Sequence, residues 1–280
     1  MNHLLPPEHL EAAATVRASH SSFAPAFRLL PAARRHDLEI LYAFCRLVDD
    51  LADGEHSLTA AERSEALAAW RDGFRHPALA GLPENLRQMI HRRELDPALF
   101  LELLEGVATD LSVPVRMPTR ADLELYCHRV AGTVGLLCLP IFGANPARAA
   151  AYAETLGRVL QYTNILRDTA ADLERGRLYY PLDELAAAGI SAENFAREDE
   201  KRQAYLQRFA AEAGEFHAEA ARRQPPEDRR ALRPARLMAA VYAQLLVKMQ
   251  RDGLRVMEKR YRLSATEKIA ALGSALLGRQ

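Results

Sequence analysis

The stretch NPARAAAYAETLGRVLQYTNILRDTAADLERG, residues 145–176, decides the fold class. Asn145-Pro146 is a helix start, because Asn can cap the first turn and proline lacks only an N–H that would go unused there. No further proline interrupts the alanine- and leucine-rich run to about Leu173, and Gly176 supplies a stop. Strands rarely exceed about 10 residues, so this segment is helix. Within it Gln161, Asn164, Asp168 and Asp172 stand at offsets of 0, 3, 7 and 11, a spacing that draws a polar line along one face of an apolar helix.

Working outward, the same punctuation recurs. Leu38, Leu41, Tyr42, Cys45, Val48 and Ala52 repeat at helical intervals up to Gly54. Thr59 with Glu62 forms a capping box for a helix through Trp70, and Asp96-Pro97 opens another to about Leu111. Pro114 and Pro118 mark a loop, after which Thr119 and Asp122 can cap a helix carrying Tyr126 to Gly135. Beyond an extended stretch, Arg177 to Pro181, come a helix around Glu200 to Arg222, a Pro225-Pro226 break and a helix from about Pro234 to Val256. No alternating β-branched run is long enough for a sheet, so the expectation is all-α. With no fixed repeat and no linker, residues 1–280 are expected to form a single helical domain.

Of 280 residues, 49% are hydrophobic and 26% charged, which excludes disordered, collagen-like and disulfide-scaffold classes. Thirty-seven basic and 37 acidic residues cancel. No general nucleic-acid footprint exists, and an anionic ligand must be met by a local device. Cys45, Cys127 and Cys138 lack paired metal-ligand spacing and read as free thiols in a reducing compartment. Met1 to Glu11 holds no basic region followed by an apolar stretch, and no segment is expected to reach the roughly 18 apolar residues of a membrane span, so a cytoplasmic location is expected. Ile269, Ala270, Leu272, Ala275, Leu276 and Leu277 form a short apolar tail suited to peripheral contact with the membrane's inner face.

The informative residues are acidic and sit where acid is costly. Asp49 follows Cys45 by four residues and Asp53 follows by four more, continuing a helix stripe that is apolar one turn earlier. Fourteen Asp in this chain give about 0.7 such Asp-x-x-x-Asp pairs by chance against two present, so spacing alone decides little. Their placement on apolar helices decides more. Two carboxylate pairs facing each other across a bundle would hold a hard divalent cation, and Mg²⁺ binds in this way through one or two carboxylates plus phosphate oxygens. Arg46, Arg167, Arg175 and Arg177 could grip phosphate or pair with these acids. Tyr126, Tyr162 and Phe23 offer ring faces to a cation, or simply core volume. Gly132 and Gly135 with Ala131 leave room for a long chain or for close helix packing. His128 has no second His at metal spacing and is not nominated.

Several blocks resemble the squalene and phytoene synthase family of head-to-head prenyltransferases. They are Ser21-Ser22-Phe23 with Leu29-Leu30-Pro31, Tyr42 to Arg46 running into Asp49-Asp50-Leu51-Ala52-Asp53, Tyr126 to Gly135, and Gln161 through Asp172, followed by Arg175-Gly176-Arg177. The likeness covers about residues 15–265 and comes closest to bacterial hopanoid-pathway presqualene diphosphate synthases. It implies an isoprenoid-synthase-type bundle with a central prenyl-diphosphate cavity, in which Asp49 and Asp53 bind Mg²⁺ with one diphosphate and Asp168 and Asp172, helped by Asn164, do so for the other. It further implies diphosphate or metal-water contacts for Arg46 and Gln161, a phosphate-proximal place for Ser21, Ser22 and Tyr126, and substrate binding by Phe23 and Arg175. Tyr242 and the cluster Lys259, Arg260 and Arg262 resemble the last phosphate contacts.

The implied reaction joins two farnesyl diphosphates to presqualene diphosphate, with NADPH not expected for this half-reaction and downstream isoprenoid enzymes as takers of the product. Alternatives are phytoene synthase acting on geranylgeranyl diphosphate, a squalene synthase that completes the reduction, and a non-catalytic assembly or scaffold member with decayed aspartates. Head-to-tail prenyltransferases and terpene cyclases fit less well, because Asp168-Thr169 replaces a doubled Asp and the steps after Asn164 land on Asp168 and Asp172.

Overall fold

The structure is a computed structural model that describes residues 6–18, 30–53, 58–112, 114–197 and 199–276. Its helices are α1 (Ala12–Ala18), α2 (Ala32–Asp53), α3 (Ala60–Arg75), α4 (Glu84–Arg93), α5 (Pro97–Leu111), α6 (Arg120–Cys127), α7 (Thr133–Phe142), α8 (Pro146–Glu174), α9 (Leu182–Ala187), α10 (Asp199–Arg223), α11 (Arg233–Arg251) and α12 (Ala265–Leu276), with strands β1 (Val115–Met117) and β2 (Arg177–Pro181). The all-α expectation holds. Contacts gather these elements into two compact units, one built from Met1–Ser112, Thr133–Ala150 and Pro225–Ala235, the other from Val113–Gly132, Ala151–Gln224 and Arg236–Gln280.

In the first unit α2 is the hub, packing on α1, α3, α4, α5 and α7. Its apolar stripe buries Leu38, Leu41, Phe44, Val48 and Leu51. Phe44 packs edge-on to Trp70, Phe74 and Phe100 at centroid separations of 5.1, 5.5 and 5.4 Å, the edge-to-face geometry that ring quadrupoles favour. The capping box of α3 is present, with the Glu62 N–H donating to the Thr59 hydroxyl (3.2 Å) and the Thr59 N–H donating to the Glu62 carboxylate (2.7 Å). Asp96 and Pro97 open α5 as the sequence implies. Asp37 is a fully buried acid held by Arg92 (2.5 Å) and Arg93 (2.7 Å), which locks α2 to α4. Helix α4, absent from the sequence expectations, has only ten residues and a strongly polar exposed face; Glu84 in its first turn and Arg92 and Arg93 in its last suit the helix dipole.

In the second unit the core gathers Leu123, Tyr126, Tyr162, Leu166, Tyr180, Phe195, Tyr205, Phe209 and Leu246. The expectation of no sheet is corrected here: β1 and β2 pair in parallel, Val115 with Arg177 and Arg116 with Leu178, with a bulge before Met117. The segment between Pro114 and Pro118 is too short to show alternation, and only its partner makes it a strand. Gly176 at φ 75° ends α8 in the left-handed region, as its position after Leu173 implies. Helix α11 ends five residues before the expected Val256, because Gly253 and Leu254 both turn through positive φ.

The helix carrying Tyr126 to Gly135 is interrupted by a π-helical segment, His128–Gly132. Gly157 of α8 lies against it: a Cβ there would stand 2.7 Å from the Ala131 carbonyl oxygen and 2.8 Å from the Gly132 nitrogen. The run Arg120–Phe142 is also long and apolar enough to cross a membrane, which corrects the expectation that no such segment exists; 44% of its apolar window is buried inside the protein. All three cysteines are free, with Cys127 buried and Cys45 and Cys138 partly accessible. The C-terminal tail is helix α12, which buries Ala271 and Ala275, receives an Arg236 hydrogen bond on the Ala275 carbonyl (3.2 Å) and leaves Ile269 exposed; Leu277 lies outside the described residues.

Candidate active site

Each unit carries one acidic pair. On α2, burial of the apolar stripe turns the opposite flank outward, so the Asp49 side chain keeps 58% of its area accessible. Arg46 reaches Asp50 at 2.5 Å and Asp49 at 3.5 Å. The Asp49 carboxyl is nonetheless pushed up to about 7, first by burial, then by Asp53 and, more weakly, by Asp110 and Asp50, against the lowering effect of Arg46. Asp110, buried near the end of α5, escaped the sequence reading. Its available signal was an acid in the last turn of the helix, three residues after Val107 on its buried side.

On α8, Tyr162, Thr163, Ile165, Leu166 and Thr169 are buried, which leaves Gln161, Asn164, Asp168 and Asp172 together on the half-accessible face. The roll of the helix is set from behind. The Tyr162 hydroxyl donates to Glu124 (2.5 Å) and accepts from Arg120 (2.6 Å), while Thr169 and Tyr180 share a buried hydrogen bond (2.7 Å). Asp168 is clamped by Arg167 and accepts from the Arg260 Nε at 2.6 Å. These guanidiniums hold its carboxyl below the usual range although burial pushes the other way. Buried Tyr242 hydrogen-bonds both Arg167 and Asn164, and burial raises its hydroxyl pKa. Asp172 adds a smaller upward push on Tyr180.

The remaining nominated residues separate. Tyr126 is buried with one ring face covered by Tyr179 (centroids 4.9 Å apart, 22° between planes), and Arg175 is exposed at the end of α8. Ser21, Ser22 and Phe23 lie outside the described residues. For Arg46 and Arg167 the ion-pair reading holds, with the very aspartates nominated as ligands.

The donors suit a hard cation. All are oxygens, the Asn164 Oδ1 is buried with no hydrogen-bond partner among the described residues, and the Asp49–Asp53 repulsion is of the kind a cation relieves. No group of three or more His, Cys, Asp or Glu among the described residues closes on a metal position. Mg²⁺ does not require one, since it keeps waters and shares phosphate oxygens with its substrate.

The squalene/phytoene synthase family matches residues 16–267, a span that includes every motif discussed above. The chain belongs to this family. It is 38% identical over 241 residues to a presqualene diphosphate synthase of Zymomonas mobilis, covering 84% of this chain and 82% of that protein. It is also 41% identical over 183 residues to a phytoene synthase of Thermus thermophilus, covering 64% and 61%. Among solved structures it superposes on a squalene synthase from Alicyclobacillus acidocaldarius with a TM-score of 0.75 at 27% identity, covering 87% of this chain and 94% of that one. A dehydrosqualene synthase in complex with ligand gives 0.78 at 24% identity, covering 95% and 94%, and supports the fold. The expected isoprenoid-synthase-type helical fold therefore stands, and the chain is a prenyltransferase of the head-to-head family.

Proposed function

We propose that this protein condenses two farnesyl diphosphates head-to-head into presqualene diphosphate, feeding squalene and hopanoid synthesis. The observation that carries the reading is that all four motif aspartates are present on helix faces outside the buried core, one pair beside an amide oxygen with no hydrogen-bond partner among the described residues. A member of the family kept only as a scaffold would have no need of acids crowded against one another as Asp49 and Asp53 are. The similarity to the Zymomonas mobilis enzyme supports the C15 substrate.

In this reading Asp49 and Asp53 hold Mg²⁺ with one diphosphate, and Asn164, Asp168 and Asp172 hold it with the other. Bound Mg²⁺ supplies the positive charge that stabilises a departing diphosphate. Arg46 and Gln161 orient diphosphate oxygens or the water around the metal, Arg175 adds charge at the end of α8, Tyr242 presents its hydroxyl beside Asn164 and Arg167, and Tyr126 joins the set by family resemblance. Ser21 and Ser22, near phosphate, and Phe23, against the substrate, complete the set by family resemblance. The apolar residues beyond the acidic faces keep water from the allylic cation formed when the diphosphate leaves.

Incubation of the purified protein with farnesyl diphosphate and Mg²⁺ is expected to yield presqualene diphosphate, with no squalene when NADPH is added. Squalene as the main product would show a built-in reductive step. The 41% identity to a phytoene synthase favours one second reading, and phytoene formed only from geranylgeranyl diphosphate would establish it.

A further inference from the structure

The segment after α11 is a built loop. Gly253 (φ 73°) and Leu254 (φ 52°) turn the chain, and the Leu254 N–H returns to the Met249 carbonyl at 2.8 Å. Asp252 then acts as a hub, accepting from the Tyr261 hydroxyl (2.5 Å) and pairing with Lys259 (2.5 Å). The Tyr261 hydroxyl in turn accepts from the Arg255 N–H (3.0 Å), and the Lys259 ammonium stands 5.0 Å over the Tyr261 ring. Gln203 donates to the Gly253 carbonyl at 2.6 Å. Leu254, Val256 and Tyr261 are buried. Between the two anchored residues Lys259 and Tyr261 stands Arg260, whose guanidinium lies on Asp168.

Asp168 is therefore met by two guanidiniums, Arg167 from its own helix and Arg260 from the loop. Neither can lose its proton, so one carboxylate faces a local surplus of positive charge. A cation approaching this acid is repelled, although the Asn164 oxygen one turn earlier is buried without a hydrogen-bond partner among the described residues. Arg260 keeps 53% of its side chain accessible against 18% for Asp168, so it is the partner free to swing away. A diphosphate offers it more charge and a matching fork geometry.

We propose that Arg260 is a positioning residue that occupies Asp168 as a built-in counter-ion, keeping a divalent cation off this carboxylate until a diphosphate anion draws the guanidinium away. The inference rests on the assignment of Asp168 as a metal ligand made above. It makes metal and diphosphate mutually dependent: each raises the affinity of the other by the same factor.

The test uses the full chain, Mn²⁺ as a paramagnetic probe counted by electron paramagnetic resonance, and inorganic pyrophosphate as the anion. In the wild type, pyrophosphate is expected to tighten Mn²⁺ binding. Arg260→Gln should bind Mn²⁺ about tenfold more tightly without pyrophosphate, within the usual range of coupling between two ligands, and should lose a similar factor of the pyrophosphate effect. Arg260→Lys, which keeps the charge, should stay near the wild type, and adding Asp168→Asn to Arg260→Gln should remove the gain. Thermal unfolding checks that each variant is folded. Equal Mn²⁺ affinity of wild type and Arg260→Gln without pyrophosphate, or a gain that survives Asp168→Asn, overturns the proposal. Failure of the proposed reaction is read separately: the Mn²⁺ coupling with no turnover of farnesyl diphosphate leaves the counter-ion role standing and removes the substrate assignment.

Discussion

Asp49 shows how the surroundings of one residue bear on the role proposed for it. Crowding by burial and by Asp53 holds its carboxyl near 7 in the folded chain against 3.8 ordinarily. Between those values the metal-free folded state binds more protons than the unfolded one, so this group's contribution to stability falls as pH rises through that window. A cation reverses the sign by favouring the ionised form. Asp49→Asn removes the charge without changing volume, so the metal-free variant should melt no lower than the wild type at pH 7.5. Turnover should nevertheless fall by about 100-fold or more, the scale seen when one charge-stabilising group is removed from an active site. Calorimetry and product assay together check this; near-wild-type turnover at saturating Mg²⁺ would remove Asp49 from the site. Asp49, Asp53, Asp168 and Asp172 stood out as candidates because paired acids on largely apolar helices are uncommon, although the structure turns Asp49 to the accessible flank of α2 rather than onto its buried stripe. Asp110 and the Arg260 contact did not, since the first has no periodic partner and the second spans 92 positions in sequence.

Among the elements, α8 explains how the acidic face is aimed. Its hydroxyl anchors behind, Tyr162 to Glu124 and Arg120 and Thr169 to Tyr180, fix the rotation that aims Asn164 and Asp168 at Tyr242, Arg167 and Arg260 rather than into the aromatic core. Gly157 sets its depth against the π segment, where backbone atoms would meet a Cβ at 2.7–2.8 Å. Backbone cannot step aside as a flexible side chain can. Gly157→Ala should therefore destabilise by about 1–3 kcal/mol, the usual cost of overpacking, despite the better helix propensity of alanine. Denaturant titration decides the sign, and an unchanged or raised stability would show that α8 can move away from Ala131. The limits of α5 and α8 and the start of α3 were readable from caps, prolines and glycines, which act locally. The π segment was not, because its extra residue per turn answers packing rather than any residue type.

For the whole molecule, the sequence suggested an apolar tail that could lie on a membrane. The folded chain uses one face of that tail internally, burying Ala271 and Ala275, and turns out Ile269, which is 68% exposed. If lipid contact occurs through this helix it runs through Ile269, so liposome flotation of the full chain should weaken on Ile269→Glu. Equal flotation of the two proteins would end the idea. By itself the sequence determined the helical class, the positions of most caps and stops, and which carboxylates are candidates for the proposed site, because periodicity, capping and the spacing of acids along a helix act within a few residues. Tertiary structure alone decided the β1–β2 pairing, the π segment against Gly157, the crowding that raises Asp49, and the capture of Asp168 by Arg260. Each of these depends at least in part on groups far apart in the chain, as Asp110 is from Asp49, and their energies exist only once folding has brought those groups together.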